Sequence, residues 1–319
     1  MSARPAPSPD RAVIQRFLPF LTLIALFVGL ALASPHFLTG VNLASVARQT
    51  AVINIMALGM TLVIVAGGID LSVGSILAFG GLLGTMAMAA GWGVPAGIAT
   101  GIATGAAWGL INGLVVTRLR IAPFIVTLGT MGIVRGIALI ISNGLPVHDV
   151  PAGFSLLGDG QVAGLPFALI LVILCAGAVH VILEHTRLGR YAFAIGSNPE
   201  AALYAGVPVA FHTTAVYAVC GLLTGLAGMV EASRLMTGQP TAGMSYELQA
   251  IAAVVIGGGS LRGGEGGVLG TLTGGFIMGL LANGSDLLGI NPYLQQAIIG
   301  AVIILAVAVD ELRKRQLGA

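Results

Sequence analysis

Charge is what this 319-residue sequence has least of: aspartate, glutamate, lysine and arginine together make up 8% of it, against roughly 25% in an ordinary soluble domain. Such a chain cannot dress a water-facing surface. There is a single lysine, Lys314. A P-loop needs a lysine directly after its glycines, so no nucleotide-hydrolysing motif is present and any ATP-driven step belongs to another chain. Two cysteines, Cys175 and Cys220, both lie in apolar stretches; they offer neither a disulfide framework nor metal-ligand spacing and read as buried small hydrophobes. Hydrolytic signatures are missing too. His180, Glu184 and His185 have one residue too many for the inverted zinc-peptidase motif, and Gly258-Gly259-Ser260-Leu261-Arg262 lacks the last glycine of a nucleophile elbow. No metal site and no enzyme activity are expected, and the run of intramembrane carboxylates typical of a proton-coupled carrier is absent.

What the sequence has in place of charge is long apolar runs. Hydrophobic residues make up 56% of the chain, in blocks such as 17–33 and 167–183, close to the roughly 17–25 residues that cross a bilayer. Helices satisfy their own backbone hydrogen bonds, and the blocks are too continuous for barrel strands. The expectation is therefore an all-α, polytopic transmembrane bundle of about ten spans: 17–34, 43–66, 72–90, 94–116, 123–142, 165–184, 211–231, 246–258, 267–283 and 292–309. Arg11 and Arg16 before an apolar run ending Ala31-Leu32-Ala33 resemble a signal peptide, but an uncleaved first helix is the plainer reading.

Ten spans put both termini on one side. Arginine and lysine favour cytoplasmic loops, and with the termini cytoplasmic that side receives Arg4, Arg11, Arg16, Arg118, Arg120, Arg187, Arg190, Arg262, Arg313, Lys314 and Arg315. Only Arg48, Arg135 and Arg234 fall elsewhere. The division expected is a cytoplasmic tail at 1–16, a transmembrane domain at 17–311 and a basic cytoplasmic tail at 312–319. Two connections are long: 143–164, expected as an external cap, and the cytoplasmic loop 184–210.

Glycine is plentiful, at 48 residues, and lies mostly inside apolar blocks. Lipid gives no hydrophobic push between helices, so small residues that let backbones approach become the packing device. Gly97, Gly101, Gly105 and Gly109 form one such stripe. The block at 248–257 is short for a span and runs into Gly258, Gly259, Gly263, Gly264, Gly266 and Gly267; a second interruption lies at Gly67-Gly68-Ile69-Asp70-Leu71-Ser72. Broken helices at membrane depth are tolerated where protein or a watery cavity covers them, so both interruptions are candidates for the pathway of a transported solute.

Charges inside spans cost about 2.5–3.5 kcal/mol each on insertion scales and are functional candidates by default. Asp70, Arg135, Arg48 and Glu231 qualify. Asp70 suits a helix N-cap as well as a pathway; for Arg135 and Glu231 a structural pair or a snorkelling end stands beside a pore role.

Several motifs, Gly68-Ile69-Asp70-Leu71-Ser72-Val73-Gly74-Ser75, Thr186-Arg187-Leu188-Gly189-Arg190-Tyr191, Gln239-Pro240-Thr241-Ala242-Gly243, Tyr246-Glu247-Leu248 and Ala250-Ile251-Ala252-Ala253-Val254-Val255-Ile256-Gly257-Gly258, are similar to the permease family of ribose-type ABC importers. The resemblance runs from about Phe37 to Asp310. It implies a multi-pass protein of the bacterial inner membrane that pairs with a second copy of itself and receives a monosaccharide from a periplasmic binding protein. A cytoplasmic ATPase with two nucleotide-binding halves would drive it; ATP and Mg are used there, and no cofactor is bound by this chain. A nucleic-acid partner is not expected. The alternatives are a stand-alone channel or secondary carrier, and a permease for another small polar solute such as a branched-chain amino acid.

A neutral sugar needs hydroxyl and amide partners more than counter-ions. Pathway candidates are Gln49, Asn54, Thr61, Asp70, Ser72, Thr127, Thr130, Asn143, Gly257 and Gly258, with an interhelical hydrogen bond or plain packing as the ordinary alternative at each. In the loop 184–210, Asn198 is placed as an N-cap, Pro199 fits the first turn and Glu200 complements the helix dipole. A short helix is expected from there, with Ala201 and Ala202 as a small-residue surface and Gly206 as its stop. The resemblance implies that this loop, including Thr186, Arg187, Leu188, Gly189, Arg190 and Gly196, docks the ATPase; a membrane-surface anchor held by Arg187 and Arg190 is the alternative.

Overall fold

The computed structural model describes residues 9–317, so parts of the tails expected at 1–16 and 312–319 lie outside the described residues. The helices are α1 (Pro9–Ala33), α2 (Gly40–Val65), α3 (Val73–Ala89), α4 (Val94–Leu119), α5 (Pro123–Ser142), α6 (Ser155–Gly158), α7 (Phe167–His185), α8 (Arg187–Ser197), α9 (Pro199–Tyr204), α10 (Val209–Leu235), α11 (Tyr246–Ile256), α12 (Val268–Leu287) and α13 (Pro292–Leu317). Each of the ten expected spans coincides with one of them. Six helices, α2, α4, α5, α7, α10 and α12, are long and apolar enough to cross a bilayer; the apolar stretches Phe17–Ala33, Val73–Ala89, Tyr246–Ile256 and Tyr293–Leu305 are shorter.

α2 is the centre of the bundle. Every residue from Thr50 to Val65 is buried, as befits a helix that is apolar all round, and α10, α12, α7 and α11 pack about it. The glycine stripe on α4 works as packing. A methyl group at Gly97 would stand 2.7 Å from the Gly84 carbonyl oxygen, and one at Gly101 would stand 2.8 Å from that of Gly80, both on α3; at Gly105 and Gly109 it would collide with the Gly221 and Tyr217 carbonyls of α10. The peripheral helices turn apolar side chains outward, among them Ile140 on α5, Leu174 on α7 and Ile304 on α13. That is the surface a lipid-facing helix presents.

The connection 143–164 folds over one end of the bundle. Its chain forms a 3-10 turn at Ala152–Phe154, then α6, then a hairpin of β1 (Gln161–Val162) and β2 (Leu165–Pro166). Ala163 and Gly164 both have positive φ, which a two-residue hairpin turn of primed type requires. Phe154 is fully buried, and Ser233 of α10 ties the cap down: its hydroxyl donates to the Phe154 carbonyl and accepts from the Gly158 amide at 2.8 Å.

At the opposite end three helices stop in the same way. Gly67 after α2, Gly258 after α11 and Gly206 after α9 have positive φ, and the next amide in each case donates back five residues: Gly68 to Val63, Gly259 to Val254 and Val207 to Ala202. This is the Schellman stop, which wants glycine at its left-handed position.

Candidate functional site

The two glycine interruptions and the loop after α7, far apart in sequence, meet at one point. The Gly264 amide donates to the Val65 carbonyl at 2.9 Å. Gly196, on the last turn of α8, lies against both: an added methyl would collide with the Val65 oxygen and stand 2.6 Å from the Gly264 nitrogen. A methyl on Gly263 would in turn lie 2.8 Å from the Cα atoms of Gly196 and Gly67. The contact is glycine on glycine, backbone on backbone.

The loop itself is two helices where one was expected. Thr186 caps α8 by accepting from the Gly189 amide at 3.4 Å, and Asn198 caps α9 by accepting from the Ala201 amide at 2.9 Å; Pro199 opens α9 and Glu200 sits in its first turn, as read from the sequence. α8 buries Gly189, Ala192 and Ile195 and leaves Arg187 and Arg190 exposed. Gly196 and Ala202 face inward, Ala202 packing on Ile195 and Val207. The surface of α9 is made instead by Ala201, Leu203 and Tyr204, the last 89% exposed.

Beyond Gly67 the chain turns back into the bundle. Asp70 is fully buried and is not the N-cap of α3; that position is Ser72, whose side chain makes no capping bond. The Asp70 carboxylate accepts from the Ser72 amide at 2.9 Å and from its hydroxyl. Asn112 of α4 donates to the Ser72 hydroxyl at 2.8 Å and to Asp70 at 3.4 Å, and Thr130 of α5 donates to the Asn112 side-chain amide oxygen, Oδ1, at 2.7 Å. Thr127 and Tyr217 donate to the Ile69 carbonyl, at 3.2 and 3.4 Å. Four of the expected pathway residues, Asp70, Ser72, Thr127 and Thr130, thus form one buried polar cluster. Asn112 and Tyr217 complete it. Asn112 was legible as an amide inside an apolar span; Tyr217 carried no such signal.

A further irregular segment escaped the sequence reading, which placed 232–245 outside the membrane. Residues 236–245 leave α10 and run down alongside α3: Gly238 lies against Thr85 and Leu82, and Gly243 against Gly74 and Leu77. From Thr85 to Gly74 is about 16 Å of helix. Non-helical backbone at that depth needs its carbonyls satisfied by protein. Arg135 of α5 does this, donating to the Pro240 and Ala242 carbonyls at 2.6 and 2.9 Å. Glu231 pairs instead with Arg234 at 2.9 Å, and Arg48 with Asp159 at 3.3 Å, so Arg135, Glu231 and Arg48 each have a structural partner.

The remaining candidates are scattered. Thr61 bonds Thr271 across the α2–α12 contact at 2.7 Å. Asn54 is fully buried against Gly275 and its amide has no hydrogen-bond partner among the described residues. Gln49 is half-buried on α2. Asn143 is an exposed left-handed residue after α5, a stop that asparagine tolerates well. Gly257 is a packing glycine, tight against Gly270, whereas Gly258 has open space and a positive φ.

The family model described as "Branched-chain amino acid transport system / permease component" matches residues 42–307. The chain belongs to this permease family. Among curated relatives, the permease is 44% identical over 300 residues to the ribose import permease protein RbsC of Bacillus subtilis (strain 168), covering 93% of each chain. It is 43% identical over 300 residues to RbsC of Escherichia coli (strain K12), covering 92% of this chain and 94% of the relative. To the D-allose transport system permease protein AlsC of the same strain it is 37% identical over 294 residues, covering 92% and 90%. No solved structure matches the permease.

Proposed function

We propose that this chain is the membrane-spanning subunit of an ATP-binding-cassette importer and forms the pathway for a neutral monosaccharide of the ribose kind. The observation that carries the reading is similarity along nearly the whole length to permeases named for ribose and allose, 37–44% identical. The buried chemistry supports it. The cluster around Asp70 offers hydroxyls and amides, and Arg135, Arg48 and Glu231 are occupied by structural partners. The branched-chain amino acid of the family's description would bring two opposite charges needing partners, which suits this buried chemistry less well than a neutral sugar does.

In this reading the α8 end is cytoplasmic, both termini lie on that side, and the cap 143–164 faces a periplasmic binding protein. The ATPase docks on α9 through Leu203 and Tyr204, which are 60% and 89% exposed, and its movement passes through Gly196 to both glycine interruptions. A second copy of the chain completes the pathway in the inner membrane.

The test is reconstitution in proteoliposomes with the cognate ATPase and binding protein. ATP-dependent uptake of D-ribose, competed by D-allose and not by leucine, is the expected result; uptake without ATP, or competition by leucine alone, defeats the reading. The purified chain by itself should hydrolyse no ATP. The topology is checked at Gly153, which is exposed with open space around it: Gly153→Cys should react with an impermeant maleimide on intact spheroplasts.

A further inference from the structure

Where the descending segment 236–245 turns into α11, a cleft of about 360 Å³ opens between the start of α11 and the first turns of α13. Three glutamines converge on it, Gln249 from α11 and Gln295 and Gln296 from α13, together with Ser245; Leu248 and Ile299 give it apolar walls. Not one of its lining residues is charged. We infer that this amide-lined cleft is a station of the transport pathway that binds one neutral monosaccharide, an inference that rests on the proposed function and assigns it a site.

The argument is chemical and geometric. Each glutamine offers two N–H donors and an acceptor oxygen, so three of them match the alternating donor and acceptor hydroxyls of a sugar without introducing charge. Among the described residues the only side-chain bond in this set is from the Gln296 amide to the Ser245 hydroxyl, and it is long, at 3.4 Å. The amides of Gln249 and Gln295 are therefore available to a ligand. The volume falls within the roughly 300–1000 Å³ of small-molecule clefts, and the aliphatic walls suit the C–H faces of a pyranose or furanose ring.

The backbone points the same way. Ser245 holds a left-handed conformation at φ 66°, which costs a residue with a Cβ about 1–2 kcal/mol and persists only where its surroundings impose it. Arg135 supplies part of that imposition by gripping Pro240 and Ala242 just upstream. Irregular backbone at membrane depth is tolerated where it is covered by protein or lines a cavity; here the cavity lies at its foot, beside a helix of only 11 residues. The short helix and the strained turn together shape a concave wall that a continuous span would fill.

Two measurements on the complete importer decide the matter, with D-ribose as the probe. Gln249→Leu combined with Gln296→Leu should lower ATP-driven uptake at least about tenfold at unchanged abundance and unchanged ATPase co-purification, the scale of losing amide–hydroxyl bonds at two positions, and Gln→Asn at the same positions should restore part of it. Independently, Leu248→Cys, in a background with Cys175 and Cys220 replaced by serine, should be labelled by maleimide more slowly when D-ribose is present and at an unchanged rate with leucine. Uptake by the double leucine variant within about twofold of the parent, or labelling indifferent to ribose in an importer that transports ribose, overturns the site and leaves the proposed function standing. A disulfide between two copies at Leu248→Cys would overturn it as well, by making the cleft a contact between copies. A parent importer that takes up no monosaccharide removes the proposed function itself, which is a different result.

Discussion

At the end of the bundle capped by residues 143–164, side chains do the holding. Arg48 pairs with Asp159, Glu231 with Arg234, Ser233 ties down Phe154 and Gly158, and nearer the middle Arg135 grips Pro240 and Ala242. At the α8 end, by contrast, Gly67, Gly196, Gly263 and Gly264 lie backbone on backbone against one another, and the Gly264 amide donates to the Val65 carbonyl across the contact. Directional, charge-assisted bonds fix a position and resist shear. Glycine contacts have no side chains to interlock, so they allow α8 and the two interruptions to shift as a body while leaving no room for an added atom. Under the proposed function, with the ATPase acting at the α8 end, the compliant contact would take up the applied force and the fixed end would keep the irregular backbone in shape.

The largest expected effect breaks the compliant contact. Gly196→Val would force a side chain into the Val65 carbonyl and the Gly264 amide. The neighbours are backbone and cannot swing aside, so the cost should reach the upper end of the ~1–3 kcal/mol typical of overpacking, or exceed it. A lowered melting temperature in detergent and reduced abundance are the expected readings. If Gly196→Val were as stable as the parent and lost only the ATPase, Gly196 would be part of the docking surface and the contrast between the two ends would be mistaken.

Next comes the fixed end. Arg135→Met removes two bonds from a charged donor and leaves the Pro240 and Ala242 carbonyls unsatisfied; bonds to charged groups contribute about 1.5–3 kcal/mol each, with partial replacement by relaxation. Hydrogen exchange across 236–245 should accelerate while α2 and α4 remain protected. Arg135→Lys should recover only part of the effect, since a lysine cannot present two donors in the guanidinium's fixed fork. Unchanged exchange in Arg135→Met would show that contacts of Gly238 and Gly243 with α3 hold the segment unaided.

How much of this was legible beforehand depends on the kind of signal. The ten helices, the α4 glycine stripe, the Asn198 cap and the Gly206 stop each rest on local periodicity or a local motif, and those survive folding because they are decided within a turn or two of chain. The course of segment 236–245 alongside α3 was not legible, because nothing local distinguishes a polar, glycine-containing connection in water from one covered by α3 and α5. Arg135 held the clue: a charge mid-span demands partners, and its partners are carbonyls more than 100 residues away. Gly196 and Ala202 were read as outward because small residues suit a groove, yet small residues suit close backbone approach equally well, and here that use prevails. The glutamine cleft joins Gln249 to Gln295 and Gln296 across two helices, a proximity that no sequence pattern expresses.

A middling effect is expected at Ser233. Its hydroxyl serves both Phe154 and Gly158, and Ser233→Ala leaves a buried carbonyl and a buried amide without their partner, a loss of about 1–3 kcal/mol. Proteolysis within 143–164 should quicken with little change elsewhere. If the cap stayed resistant, burial of Phe154 alone would be holding it, and the fixed end would owe less to hydrogen bonds than the comparison supposes.

The smallest effect on stability should fall on α9, and it should carry the largest consequence for assembly. Tyr204 is 89% exposed and Leu203 60% exposed, so truncating either to alanine removes little buried contact, and exposed substitutions of this kind usually stay within about 0.5 kcal/mol. An exposed tyrosine is nonetheless typical of an interface centre, where a few residues supply most of the binding energy, and Leu203 adds apolar area beside it. Tyr204→Ala and Leu203→Ala should therefore melt with the parent, insert normally and lose co-purification of the ATPase, with sugar-stimulated hydrolysis lost alongside. Glu200→Gln, on the same short helix, removes a charge from the first turn and should cost only a few tenths of a kcal/mol through the helix dipole, with binding retained. If the tyrosine and leucine variants hold the ATPase as firmly as the parent, the force enters elsewhere. The exposed face of α8 with Arg187 and Arg190 would then be the next surface to probe, and Gly196 would keep its place as the joint behind it.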